Sequence, residues 1–270
     1  MEQPNSDQRL QIILVGGGHA HIQLMDQARR YLPYADIMVI SPVSRQLYSG
    51  MASGYIEGTY GSSEISFDLA AICQRNSITW IHGSVNQIDA QNQTVFTDQG
   101  KCFHYHILSV NTGSESGRGQ LDSDLGTIIP LKPLEHLDQL KALLNNDLTD
   151  QCKITVIGGG AAGFEMSLAV QAAAAQLKVV PVIRIFERNP DILKGYSPQV
   201  RQSAHSKLQQ AGITLTCNRD PLIRAVGETA EDPLANQDLL IWAAGSRAGS
   251  LYRESGLPID PGGFLQVEAT

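Results

Sequence analysis

The apolar positions along this chain form short β-branched runs that alternate with longer stretches of helical period. The first run is Gln11–Val15, and it leads straight into Gly16-Gly17-Gly18-His19-Ala20-His21. Ile22, Met25, Ala28 and Leu32 then return at helical spacing, which predicts one apolar helix face. Pro33 ends that helix, since proline cannot continue it. A second run, Ile37–Ile40, closes at Ser41-Pro42.

The same order returns 142 residues later. Lys153–Ile157 is a strand, Gly158-Gly159-Gly160-Ala161-Ala162-Gly163 follows, and a helix runs from Ala161 towards Ala175. The next strand, Val180–Phe186, ends in Glu187-Arg188. A separation this large marks a domain-sized duplication rather than a short repeat. Strand, glycine turn, helix and strand have the size of the mononucleotide-binding half of a Rossmann fold.

Between the two units, Asp68–Gln74 reads as a short helix. Thr79–His82, Ser84–Ile88, Gln93–Thr97 and Lys101–His104 read as strands separated by turns. Ile107–Val110 reads as a buried strand ending in Asn111-Thr112-Gly113, and the polar, glycine-rich stretch 117–126 as a linker. A helix carrying Leu134, Leu137, Leu140 and Leu144 enters the second unit. A helix Pro198–Gln210, a strand Ile213–Cys217 and a strand Leu239–Ala243 ending in Ala244-Gly245 complete it.

The loop 158–163 matches G-x-G-x-x-G in full. Gly158 permits the tight turn, Gly160 lets the backbone approach a pyrophosphate, and Gly163 lets the helix pack on the strand. The helix start, with Ala161 and Ala162, then offers free N–H groups and a partial positive charge to the phosphates. Glu187, 24 residues past Gly163, can accept from a ribose diol and repels a 2′-phosphate, which favours NAD over NADP. Arg188 beside it works against that preference, because an arginine can hold the phosphate. In the first loop Gly16 and Gly18 are in place, but His21 stands at the third glycine position and Ser41 replaces the usual acid. His19 and His21 also read as packing residues at a helix start.

Composition narrows the function. The 270 residues carry a formal net charge of −7, so no basic face points to nucleic acid. Cys73, Cys102, Cys152 and Cys217 are far apart, so zinc spacing is absent and no metal site is expected. No apolar run approaches the roughly 20 residues of a membrane span, and the polar opening segment is no signal peptide, so a cytoplasmic location is expected.

These motifs together resemble the two-dinucleotide flavoproteins of the pyridine nucleotide-disulfide oxidoreductase superfamily. The segments Leu14–His21, Leu47-Tyr48-Ser49-Gly50-Met51 with Gly54-Tyr55, and Ile107-Leu108-Ser109 resemble the branch linked to selenophosphate synthetase, which is similar to type II NADH dehydrogenases. The resemblance implies an α/β fold with an FAD-binding domain, 1–118 and 246–270, into which an NAD(P)-binding domain, 119–245, is inserted. It implies FAD at the first loop, NAD(H) at the second, and hydride transfer between them. Gly16, Gly18, His19 and Ala20 would face the FAD pyrophosphate, Ser41 and Pro42 the adenosine ribose, and Val85 the adenine. Arg45, Tyr48 and Ser49 would lie near the pyrophosphate and isoalloxazine. Thr112 with Gly113, and Ala244 with Gly245, would mark the matching strand ends. Glu165, in the first turn of the second loop's helix, would lie near nicotinamide and flavin.

Two departures from the superfamily stand out. No cysteine lies between Gly18 and Cys73, so the redox C-x-x-x-x-C pair is absent. Relatives also continue past the position of Thr270 with a Gly-Asp motif and an interface domain, so the chain reads as truncated. The expected acceptor is a small molecule, a quinone or a selenium species, with a link to selenophosphate synthetase and a homodimer left open by the family. A non-catalytic nucleotide-binding or partner-docking module is the rival reading.

Overall fold

The computed structural model describes residues 9–116, 127–219, 234 and 237–268. In chain order the elements are β1 (Leu10–Val15), α1 (His19–Tyr31), β2 (Ala35–Ser41), β3 (Arg45–Leu47), a 3-10 turn (Ser49–Met51), α2 (Ala52–Glu57), β4 (Ser66–Asp68), α3 (Leu69–Asn76), β5 (Thr79–His82), β6 (Val85–Asp89), β7 (Thr94–Thr97), β8 (Cys102–His104) and β9 (Ile107–Val110). They continue as β10 (Glu115–Ser116), β11 (Thr127–Pro130), α4 (His136–Asp147), β12 (Lys153–Ile157), α5 (Ala161–Leu177), β13 (Val182–Phe186), α6 (Pro198–Gln210), β14 (Thr214–Thr216), β15 (Leu239–Trp242), β16 (Ser246–Arg247) and α7 (Leu251–Glu254). The expected linker 117–126 lies outside the described residues.

The chain divides into two compact units: 1–48, 66–115 and 247–270, and then 49–65 with 116–246. The first is built on a parallel sheet of order β5-β2-β1-β9. Successive side chains of a strand point to opposite faces. Ile12 and Leu14 of β1 therefore pack with Met25 of α1 and with Leu69 and Ile72 of α3. Ile13 and Val15 pack on the other face with Ile40, Ile88 and Val95, under the antiparallel sheet β6-β7-β8. Leu251 and Leu257 join this second cluster, and the Ile88 N–H donates to Ser255 Oγ at 2.9 Å. The strand Ile107–Val110, expected to be buried, is an edge strand instead. Having a neighbour on one side alone, it leaves Ile107 46% exposed.

The second unit has a five-stranded parallel sheet of order β11-β15-β12-β13-β14. α5 buries Met166, Ala169, Val170, Ala173 and Ala174, and it packs on β12, β13, α2 and α4. Neighbours on several sides account for its lack of a polar stripe.

The segment 49–65, grouped by the sequence with the first unit, packs in the second. It leaves from β3 and returns at β4, two strands paired antiparallel. Tyr55 and Ile56 of α2 are buried, and the Tyr55 hydroxyl donates to Asp138 Oδ1 of α4 at 2.7 Å. Lys141 Nζ donates to the carbonyls of Tyr55 and Ile56, both at 2.8 Å, which satisfies two orphan acceptors at the end of α2. Burial lowers the Lys141 pKa, against the raising charge of Glu57. Gln176 Nε2 reaches the Glu57 carbonyl at 2.7 Å.

Candidate functional site

The two glycine loops are tied to their neighbouring strands by the same pair of bonds. The Gly16 N–H donates to Ile40 O at 2.8 Å, and the Gly158 N–H to Phe186 O at 2.8 Å. On the other side, Asn111 N–H donates to Val15 O at 2.8 Å, and Ala243 N–H to Ile157 O at 2.9 Å. Each loop thus lies where the chain order of its sheet reverses, the position at which open α/β sheets bind ligands. Gly16 and Gly158 have φ of +89° and +108°, and a Cβ on Gly16 would stand 2.4 Å from the Asn111 carbonyl oxygen. Gly113 and Gly245 match as well, with φ of +76° and +67°.

The loops differ at the third glycine. A Cβ on Gly163 would lie 1.9 Å from Gly158 O, so only glycine lets α5 approach the turn. Its counterpart His21 is 2% exposed and solves the same contact with a hydrogen bond. Its Nδ1 lies 2.7 Å from Gly16 O and its Nε2 lies 2.8 Å from Ser109 Oγ. A carbonyl can only accept, so Nδ1 carries the proton and Nε2 accepts from Ser109. Burial lowers the pKa of His21, outweighing the bond to Gly16, so the ring stays neutral. Where the first sheet has Ser109, the second has Ile241 in the same register, fully buried.

Both helix starts leave their amides open. Neither α1 nor α5 has a capping side chain, and neither has an acid in its first turn. The first helical donations are Ile22 N–H to Gly18 O and Phe164 N–H to Gly160 O. The amides of His19, Ala20 and His21, and of Ala161, Ala162 and Gly163, have no partner among the described residues. His19 and Ala20 are exposed, as are Gly160 and Ala162. A Cβ on Gly160 or Gly113 would meet no atom within 4 Å, so the backbone is open on that side at both. Gly18 differs: a Cβ there would meet the Asn111 side chain at 2.3 Å, so this glycine serves packing within the protein.

Glu187 and Ser41 hold equivalent positions at the ends of β13 and β2. Glu187 is 7% exposed. Its Oε2 accepts from the Gly159 N–H at 2.7 Å. Its Oε1 accepts from the Asn189 N–H at 2.7 Å and from Asn189 Nδ2. Leu193 N–H donates to Gly159 O at 2.8 Å, so the loop after β13 brackets both ends of the Gly159 residue. Ser41 is 1% exposed, and its hydroxyl turns onto Val43, donating to that carbonyl at 3.2 Å and accepting from its N–H at 3.4 Å. At this position the first loop therefore has a hydroxyl where the second has a carboxylate.

The remaining expected residues fall as follows. Tyr48 packs against His19, ring centroids 5.0 Å apart, with Phe67 at 6.1 Å from His19. Pro42, Ser49, Thr112 and Arg188 are exposed, and Arg45 and Ala244 half-buried. Val85 opens β6 opposite Thr97, and Gly83 N–H, two residues before it, donates to Ser41 O at 3.2 Å. Glu165 is exposed, but it is the fifth residue of α5, one past the first turn in which the sequence places it. Gly159, Asn111 and Ser109 stand in segments the sequence marks but without a role of their own, because they act through backbone groups or strand register; Asn189, two residues past the strand-end acid, lies in no motif. Among the described residues, no group of three or more His, Cys, Asp or Glu could hold a metal. No disulfide joins the cysteines, and no described helix is long and apolar enough to cross a membrane.

Open amides at each helix start, a backbone left open at Gly160 and Gly113, and an acid at one loop fit two dinucleotides. Residues 10–270 match the family model of the pyridine nucleotide-disulphide oxidoreductases, and the chain belongs to that family. It is similar to the nitric oxide reductase FlRd-NAD(+) reductase of Vibrio vulnificus, 24% identical over 93% of this chain and 66% of that one. It is also similar to an NADH oxidase of Methanocaldococcus jannaschii, 24% identical over 93% of this chain and 58% of the relative. Among solved structures, the water-forming NADH oxidase from Lactobacillus brevis bound to NADH shares the fold. Its TM-score is 0.74 at 18% identity, over 94% of this chain and 58% of that one. The chain thus spans about two thirds or less of these relatives' length.

Proposed function

We propose that this chain carries the FAD and NADH sites of a flavin-dependent NADH oxidoreductase. The observation that carries this reading is the pair of equivalent loops with open helix amides, one of them underlaid by Glu187. In the first, the amides of His19, Ala20 and His21 hold the FAD pyrophosphate, and Tyr48 and His19 line the approach. In the second, the amides of Ala161, Ala162 and Gly163 hold the NADH pyrophosphate, and Glu187 accepts from the adenosine ribose. Glu165 is the exposed acid of that helix, α5. FAD, when bound, accepts hydride from NADH and passes electrons on, so the chain's own task is to bind, orient and exclude. The relatives named for NADH oxidation, and the neighbour bound to NADH, support this assignment. The acceptor we assign to a small molecule, a quinone or a selenium species, following the family resemblance.

The test is anaerobic addition of NADH to FAD-loaded protein. Bleaching of the flavin's visible band supports the reading. Flavin and nucleotide that both bind, without bleaching, point instead to a non-catalytic nucleotide-binding module.

A further inference from the structure

Glu187 is held by three hydrogen bonds from the loops on either side of it. An ionised carboxylate offers about four lone-pair sites. Three are filled here: Oε1 by both donors of Asn189, and Oε2 by the Gly159 N–H. The backbone under the pair is fixed too. Asn218 N–H donates to Asn189 O at 3.0 Å, and Arg219 N–H to Glu187 O at 3.2 Å. One acceptor site remains, on Oε2. Asn189 is half-buried, and its side-chain Oδ1 accepts no hydrogen bond from a described residue.

We propose that Asn189 is the positioning and specificity residue of the second loop: its amide aims Glu187 and its Oδ1 completes an acceptor pair for the vicinal diol of an unphosphorylated adenosine ribose. This rests on the reading of that loop as the NADH site. A ribose diol offers two donors, which match one open site on Glu187 and one on Asn189. A 2′-phosphate offers acceptors and negative charge, and meets a carboxylate there. The clamp is uncharged, and this matters. An arginine in place of Asn189 would neutralise Glu187 and welcome the phosphate. The amide holds the carboxylate still and leaves its charge in force.

The experiment is equilibrium binding of NADH and NADPH across a pH series to wild type, Asn189→Ala, Asn189→Asp and Glu187→Ala. Asn189→Ala should weaken NADH by roughly 10- to 100-fold, the effect of losing a hydrogen bond to a charged group, and narrow the NADH/NADPH ratio. Asn189→Asp sets two carboxylates side by side. It should lose NADH binding at about pH 8 and regain it at about pH 5.5, where one of the pair protonates and its O–H restores the clamp. The other titratable or charged groups nearby are Asp191, paired with Arg201 and His205 of α6, together with Arg219, Arg188 and the Cys217 thiol, which burial and the neighbouring carboxylates push up. They are common to every variant, so the difference between variants reads the pair alone. A purely structural Asn189 would not give acid recovery in the aspartate variant and in no other. A wild-type ratio in Asn189→Ala, or a flat pH profile in Asn189→Asp, overturns the proposal. If Glu187→Ala still weakens NADH in that case, the site stands and only the role of Asn189 falls. If Glu187→Ala binds like wild type, or no nucleotide binds at all, the NADH site falls and the proposal with it.

Discussion

Glu187 accepts a hydrogen bond from the amide of Gly159 at 2.7 Å, so the acid placed to hold a ribose also braces the loop placed to hold a pyrophosphate. The equivalent Ser41 has no such reach and closes onto Val43 instead. Two copies of one device have thus diverged at one position into a charged and a neutral form.

Removing that charge should cost both stability and binding. Glu187→Ala leaves three N–H donors without their acceptor, and each unsatisfied buried group costs about 1–3 kcal/mol. We expect a lower thermal midpoint together with a narrowed NADH/NADPH ratio. An unchanged midpoint would show that the bracket around Gly159 is not structural.

The third-glycine position should behave as a matched pair with the adjoining strand. His21 goes with Ser109, and Gly163 goes with Ile241. Gly163→Ala should destabilise by about 1–3 kcal/mol or more through overpacking against Gly158 O. Ser109→Ile and His21→Ala should each destabilise, and a double-mutant cycle between them should show coupling of about 0.5–3 kcal/mol. Additive effects in denaturant unfolding would break the pairing.

His21 also gives stability a pH dependence. Its folded pKa lies below the ordinary 6.5. Above that value the ring is neutral in both states and its contribution is complete. As pH falls below it, the unfolded chain binds the proton first, so stability declines through the lowered folded value. Denaturant titrations should show this acid loss shrink in His21→Gln. An equal loss in both proteins would place its origin elsewhere.

The βαβ units were legible because three signals coincide in each: a β-branched run, glycines at fixed offsets, and helical spacing of apolar residues. The bounds of β12 and α6 follow directly from Lys153–Ile157 and Pro198–Gln210. The placement of 49–65 was not legible. α2 is six residues long, too short for a periodic face, and its seat depends on Lys141 and Asp138, more than 80 residues away. Ile107–Val110 looks buried by composition, yet its edge position is a property of the sheet. Asn111 and Gly159 act largely through backbone N–H and C=O groups, which every residue carries, so no residue type announces them; Asn189 acts through its side chain as well, but from a loop position that belongs to no motif.

The four cysteines should report their surroundings by alkylation rate. Burial pushes the Cys73 thiol up to about 11, beside Met25 Sδ at 3.9 Å, whereas Cys102 is exposed. Cys102 should react first with iodoacetamide and Cys73 last, since the thiolate is the nucleophile. Mass spectrometry of a time course checks the order, and early labelling of Cys73 would show that the α1–α3 face opens in solution.

The most direct test of two separate dinucleotide sites uses the equivalent, exposed Ala20 and Ala162 at the second positions of α1 and α5. Ala20→Asp and Ala162→Asp each put a carboxylate at an open helix start. There it suits the dipole by about 0.3–1 kcal/mol, so folding is preserved, but it repels a pyrophosphate. Calorimetric titration of FAD and NADH into both variants is the measurement. The expected result is that Ala20→Asp loses FAD and keeps NADH, while Ala162→Asp loses NADH and keeps FAD. Retention of both ligands by both variants, or loss of the same ligand in both, would contradict the assignment of one dinucleotide to each loop.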